Sequence, residues 1–100
     1  MDGIPALLAR YFPDSDQELH VGGLPASDLV QRFGTPLFVY DQRVLDLKWS
    51  ALREALPARF SIHYSVKANP NEAILRHFLS KGCGLEVASA GELLRAIEAG

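Results

Sequence analysis

The chain has 100 residues, 48% hydrophobic and 22% charged, with ten Lys and Arg against twelve Asp and Glu. That length bounds it to one ordinary globular domain at most, and a formal net charge of −2 leaves no basic excess to neutralise a phosphate backbone, which removes nucleic acid from the expected partners. One cysteine, Cys83, cannot close an internal disulfide, and neither clustered metal ligands, nor a basic-then-apolar leader, nor an apolar run of about 18 residues occurs, so the expectation is a reducing cytoplasm, no structural zinc and no membrane span.

Residues 1 to 36 carry Pro5, Pro13, Pro25 and Pro36 among Gly3, Gly22, Gly23 and Gly34, punctuation too frequent for long elements. They read as an N-terminal extension with two short helices. One runs from Pro5 to Tyr11, the other from Ala26 to Phe33, capped by Ser27 and with Leu29, Val30 and Phe33 at helical spacing. After Gly34-Thr35-Pro36, the β-branched and aromatic run Leu37-Phe38-Val39-Tyr40 predicts a strand over 37–41, with Asp41 at a helix N-cap.

From Gln42 to Leu56, Leu45, Trp49, Leu52 and Leu56 form one apolar stripe that Pro57 stops. The next segment, Phe60 to Lys67, alternates. Phe60, Ile62, Tyr64 and Val66 fall on one face and Ser61, His63, Ser65 and Lys67 on the other, which predicts a strand with one polar face. Asn69-Pro70-Asn71-Glu72 reads as N-cap, proline at N1 and Glu at N3 of a helix with Ile74, Leu75, Phe78 and Leu79 on one face, ending at Gly82. Gly84 to Ala88 reads as a second strand. Ser89-Ala90-Gly91-Glu92 is then a capping box opening a helix through Leu93, Leu94 and Ile97.

Strand, helix, strand, helix with short connections implies parallel strands covered by helices, hence an α/β fold. A doubly wound sheet would bury the polar face of Ser61, His63, Ser65 and Lys67 under helices; a (β/α)8 barrel turns it to an interior that opens into a site, and the barrel is the expected architecture. Such a barrel takes about 250 residues, so these residues read as the N-terminal part of a longer protein.

Lys67 closes the polar face at the C-terminal end of its strand, where barrel enzymes place catalytic groups. A partly desolvated lysine there can lose its proton near neutral pH and condense with an aldehyde to a Schiff base. Glu86 alternates onto the matching face of the second strand, so aligned neighbouring strands would aim its carboxylate and the Lys67 amine into one cavity. Solvated strand-end residues or a structural ion pair remain the competing reading of these two. The other candidates fall short. Gly82-Cys83-Gly84 has Val87 where a dinucleotide fingerprint needs its third glycine, and the same Val87 denies Ser89 a nucleophile elbow. Cys83 reads as a small buried residue. His63 lies four residues behind Lys67, about 13 Å by strand rise, where a hydrogen-bonded interior role is expected.

Three blocks in order, Gly34-Thr35-Pro36-Leu37-Phe38-Val39-Tyr40-Asp41, Tyr64-Ser65-Val66-Lys67-Ala68-Asn69-Pro70-Asn71 and Glu86-Val87-Ala88-Ser89-Ala90-Gly91-Glu92-Leu93, resemble the fold-type III pyridoxal-phosphate decarboxylases, which include diaminopimelate, ornithine and arginine decarboxylases. The resemblance spans roughly residues 34 to 100. It implies the first units, over 42–100, of an alanine racemase-like TIM-type barrel that binds pyridoxal 5′-phosphate, with strand 37–41 belonging to an accompanying β-domain. It also implies Lys67 as both the cofactor-binding and a catalytic residue through its Schiff base, and Glu86 as a second catalytic residue lining the pocket. Most family members carry Asp at the position of Glu86. The implied activity is decarboxylation of the α-carboxylate of a small-molecule amino acid, as in lysine biosynthesis, by a cytoplasmic homodimer. Decarboxylation of a glutamyl group borne by an acyl carrier protein, a racemase and a non-catalytic homologue are the alternatives, although racemases continue from Lys-Ala-Asn differently from Pro70-Asn71-Glu72-Ala73. The family's phosphate loop, ring-stacking His, pyridine-facing Glu and cross-interface Cys belong to later segments.

Overall fold

The computed structural model describes residues 3–15 and 17–100; of the extension expected over 1–36, Met1, Asp2 and Asp16 lie outside the described residues. Two compact units divide the chain, Met1–Glu54 and Ala55–Gly100.

In the first unit, α1 (Gly3–Tyr11) carries Pro5 in its first turn, where a missing N–H leaves no helical bond unmade. A hairpin that the proline and glycine count conceals follows: β1 (His20–Val21) pairs antiparallel with β2 (Leu24–Pro25). Gly22 and Gly23, at φ 61° and 80°, supply the two left-handed residues that a tight two-residue hairpin turn requires. α2 (Ala26–Phe33) starts after Pro25, which makes no side-chain cap. The cap expected from Ser27 is therefore a correction. Ser27 sits inside the first turn, and Glu18 reaches over from upstream, its carboxylate accepting from the Ser27 N–H at 3.3 Å and the Ser27 hydroxyl at 2.9 Å. A carboxylate suits a helix N-terminus both as acceptor and as charge, so it displaces the serine from that task. α3 (Gln42–Ala55) opens where expected, with Asp41 Oδ1 accepting from the Arg43 N–H at 2.8 Å while Oδ2 accepts from the Gly22 N–H at 3.2 Å. Arg43 in turn donates to the Tyr11 carbonyl.

The segment 37–41 forms no strand among the described residues. Phe38 is 88% exposed.

The second unit is two consecutive strand–helix repeats. β3 (His63–Ser65) runs parallel to β4 (Gly84–Glu86) in the register His63↔Gly84, Tyr64↔Leu85, Ser65↔Glu86. Both strands are shorter than their alternating patterns. The β3 ladder ends at Ser65, and Val66–Ala68 winds into a 3-10 turn, so Lys67 lies just past the strand rather than as its last residue. Val66 is at 0% exposure and joins Leu75, also at 0%, and Ala99 in a core onto which Tyr64, Leu79, Leu85 and Val87 pack. That core lies between the strands and the helices α4 (Glu72–Ser80) and α5 (Ala90–Ala99). Tyr64 adds a stacked contact with Phe78, ring centroids 4.4 Å apart, and donates its hydroxyl to the Asn69 carbonyl at 3.1 Å.

Both helix starts are fastened by side chains. Asn69 Oδ1 accepts from the Asn71 N–H at 3.0 Å and Asn71 Oδ1 from the Ala73 N–H at 2.9 Å, so the N-cap of α4 is Asn71, two residues beyond the expected Asn69. Two asparagine turns in series carry the chain around Pro70 before helix can begin. Gly82, at φ 82°, ends that helix in the left-handed conformation glycine adopts without strain. At α5, Ser89 Oγ accepts from the Glu92 N–H at 3.1 Å, and the Glu92 carboxylate accepts in return from the Ala88 N–H at 2.9 Å. This closes the expected box one residue earlier than the usual form.

In the full-length protein, Leu75→Ala is expected to lower the unfolding free energy by about 2–5 kcal/mol and Ser89→Ala by about 1 kcal/mol. Urea denaturation checks both, and a Leu75→Ala loss no larger than that of Ser89→Ala would place Leu75 outside the load of the core.

Candidate functional site

The β3–β4 register sorts the side chains of the second unit. Tyr64 and Leu85 turn to α4 and α5; because successive side chains alternate, His63, Ser65, Gly84 and Glu86 lie on the opposite, open face. Ser65 and Glu86 are direct neighbours across the two strands. Lys67 follows two residues after Ser65, exposed, in the middle of the 3-10 turn. Both Lys67 and Glu86 are exposed, and among the described residues no ion pair joins them. The residue paired with Glu86 is Ser65, two positions before Lys67.

The turn that carries Lys67 is held from both sides. Before it, Val66 is fully buried; after it, the Asn69 carbonyl accepts the Tyr64 hydroxyl and the Asn69 and Asn71 side chains bind the backbone beyond. An amine on so short and well-tethered a turn can be presented at a constant place, which is what covalent capture of an aldehyde needs. The donor set fits a pyridoxal group. Lys67 supplies an exposed primary amine, the group that can condense with an aldehyde, Glu86 a carboxylate on the open face, and Val66, Leu75 and Ala99 close the opposite face.

The other sequence candidates stand elsewhere. A cavity of about 250 Å³ belongs to the first unit, lined by Phe12, Asp14, His20, Asp41 and Arg43 among others, and includes neither Lys67 nor Glu86. His20 Nδ1 lies 3.0 Å from the Glu18 carbonyl, and among the described residues no group of three or more His, Cys, Asp or Glu could hold a metal. No helix among them is long and apolar enough to cross a membrane. His63 lies on the open face, with no hydrogen bond to its ring among the described residues, and its imidazole lies over Gly84. The sequence signal was a glycine opposite a histidine, legible only once the strands were in register.

The sequence pattern described as pyridoxal-dependent decarboxylase, pyridoxal binding domain, matches residues 43–100. Diaminopimelate decarboxylase of Deinococcus radiodurans is 50% identical over 74 residues, 73% of this chain and 19% of that protein. Diaminopimelate decarboxylase of Aquifex aeolicus is 38% identical over 90 residues, 90% of this chain and 21% of that protein. The crystal structure of diaminopimelate decarboxylase from M. jannaschii in complex with L-lysine superposes with a TM-score of 0.72 at 33% identity, over 84% of this chain and 21% of that one. The chain thus spans about a fifth of the length of the relatives it matches.

Cys83 is buried at 4% exposure, its Sγ 3.4 Å from the Ile62 carbonyl and 3.2 Å from the Gly84 carbonyl. Burial pushes its thiol above the ordinary value, opposed only in part by a backbone hydrogen bond at Tyr64. Since the thiolate is the reactive form, a raised value leaves less of it at any given pH. The native full-length protein is expected to modify Cys83 more slowly than free cysteine, with the rate rising at higher pH than for the free thiol; mass mapping after timed treatment with an aromatic disulfide checks this, and labelling as fast as free cysteine would contradict it.

Proposed function

Since the chain belongs to the pyridoxal-dependent decarboxylase family through its pyridoxal-binding domain, we propose that the full protein removes the α-carboxylate of an amino acid as carbon dioxide, with diaminopimelate as substrate. The observation that carries this reading is the amine of Lys67 on a tethered turn at the end of β3, beside the open polar face to which Glu86 belongs. The names of the relatives support the choice of substrate.

When bound, the pyridoxal group supplies an electron sink for the pair left on carbon as carbon dioxide departs. The chain's own residues do the rest. Lys67 Nζ would hold the group covalently, and its amine, kept at that place by the turn, could also take or return a proton. Glu86 offers a carboxylate on the same face, one register step behind the turn, to accept from donors on substrate or cofactor. Val66, Leu75 and Ala99 exclude water from the helix side. In this reading, residues 37–41 join an accompanying β-domain and the full protein acts as a homodimer.

The full-length protein is expected to show a visible absorption band from lysine-bound pyridoxal and to release carbon dioxide from diaminopimelate. Lys67→Ala should abolish the band and bring carbon dioxide release to background. Glu86→Gln should keep the band while lowering kcat by roughly 100-fold. An unchanged band in Lys67→Ala would remove Lys67 from the anchor role, and unaltered turnover in Glu86→Gln would make Glu86 a surface residue.

A further inference from the structure

β4 carries no side chain at residue 84, and the space is filled from the neighbouring strand. A Cβ placed on Gly84 would stand 2.4 Å from His63 Cδ2, 2.7 Å from Nε2 and 3.2 Å from Cγ, and no atom of any other residue is among its three nearest neighbours. Separations this short lie well inside the contact distance of carbon atoms, about 3.5–4.0 Å. Gly84 has no positive φ, so its backbone would accept alanine; the imidazole alone stands in the way.

The location gives this packing its meaning. His63 and Gly84 are paired in the register, one pair below Ser65 and Glu86 and on the same open face. Residue 84 stands about 6.6 Å from residue 86 along the strand, two residue rises. The imidazole therefore occupies the layer directly beneath the Glu86 side chain, where a side chain on β4 itself would otherwise stand. We propose that His63 is a positioning residue, its ring laid across Gly84 as the floor under the Glu86 carboxylate, and that the bare Gly84 admits it.

This inference rests on the proposed decarboxylase reading for its catalytic consequence, and on the register alone for the contact. Adding a methyl group at 84 expels the ring, while deleting the ring at 63 leaves a hollow into which the Glu86 side chain can drop. Displacement of a positioned group by about 1 Å can lower turnover roughly 100-fold without abolishing substrate binding.

The test is a double-mutant cycle in the full-length protein with Gly84→Ala, His63→Ala, the pair together, and His63→Gln. Thermal midpoints without added cofactor, pyridoxal 5′-phosphate affinity by absorption titration, and kcat and KM for diaminopimelate are measured for each. Gly84→Ala and His63→Ala are each expected to lower kcat roughly 10- to 100-fold and to weaken cofactor binding, with KM changed by no more than about threefold. Once His63→Ala is in place, Gly84→Ala should add less than about a twofold further loss in kcat and little further loss in midpoint, because its obstacle is gone. His63→Gln, a planar amide able to lie over the glycine, should retain kcat within about threefold. Losses that multiply across the cycle, or a His63→Ala protein with unaltered kcat and cofactor affinity, would overturn the proposal. A parent protein that binds no pyridoxal phosphate would instead overturn the decarboxylase reading, and the thermal midpoints of the same proteins would still decide the His63–Gly84 contact: coupled losses uphold it and additive losses refute it.

Discussion

The parallel register between β3 and β4 decides the chemistry of every side chain near Lys67. With Tyr64 beside Leu85, the apolar members of both strands meet α4 and α5, and Ser65 beside Glu86 turns the polar members the other way. A slip of one residue in either strand would exchange the two faces, placing the Glu86 carboxylate against Leu75 and exposing Leu85. Burying an unpaired carboxylate is costly enough to exclude that arrangement. The apolar core and the polar face are thus two consequences of one pairing, and His63 over Gly84 is a third, since only this pairing sets an imidazole opposite a residue with no side chain.

Pairing of three residues per strand is too short a ladder to hold such a register alone. The connections supply the remainder through side chains that bind backbone. Asn69, Asn71, Ser89 and Glu92 each accept from a main-chain N–H at the start of a helix, satisfying donors that a helix cannot satisfy internally. Each helix then begins at one defined residue, which fixes where its apolar stripe meets the strands. Stacking of Tyr64 on Phe78 ties β3 to α4, while the Tyr64 hydroxyl on the Asn69 carbonyl closes the loop between them. Lys67 is inside that loop, so its geometry follows from contacts made by its neighbours.

Much of this was legible before any coordinates. Periodicity located α3, α4 and α5, and the Ser89 to Glu92 spacing and Gly82 marked their ends, because these signals are local and act within a few residues. Membership of the pyridoxal-dependent decarboxylases followed from three ordered blocks, two of which fall within residues 43–100. What escaped depends on partners distant in sequence. Ser27 carried the composition of a cap, but Glu18 took the bond from nine residues upstream. The β1–β2 hairpin spans only two residues on each side, too few for alternation to register, and the His63–Gly84 contact required knowing which residues of two strands lie opposite each other.

Adjacent residues in the 3-10 turn have opposite surroundings: Val66 is wholly enclosed, and Lys67 is exposed. In the proposed reading this contrast bears on covalent anchoring. An amine sunk in the core would be inaccessible to a cofactor, and one on a loose loop would be reached at a large entropic cost for every encounter. A 3-10 turn advances by three residues per revolution, so one residue can be driven into the core while the next is directed away from it. Val66 acts as the fixed end and Lys67 as the presented end of a single stiff unit, and the fixity comes from Leu75 and Ala99 on helices that never touch the open face. On that account, loosening Val66 would alter the site by the same route as moving Lys67 itself: apolar packing on the sealed side determines where the amine stands on the other.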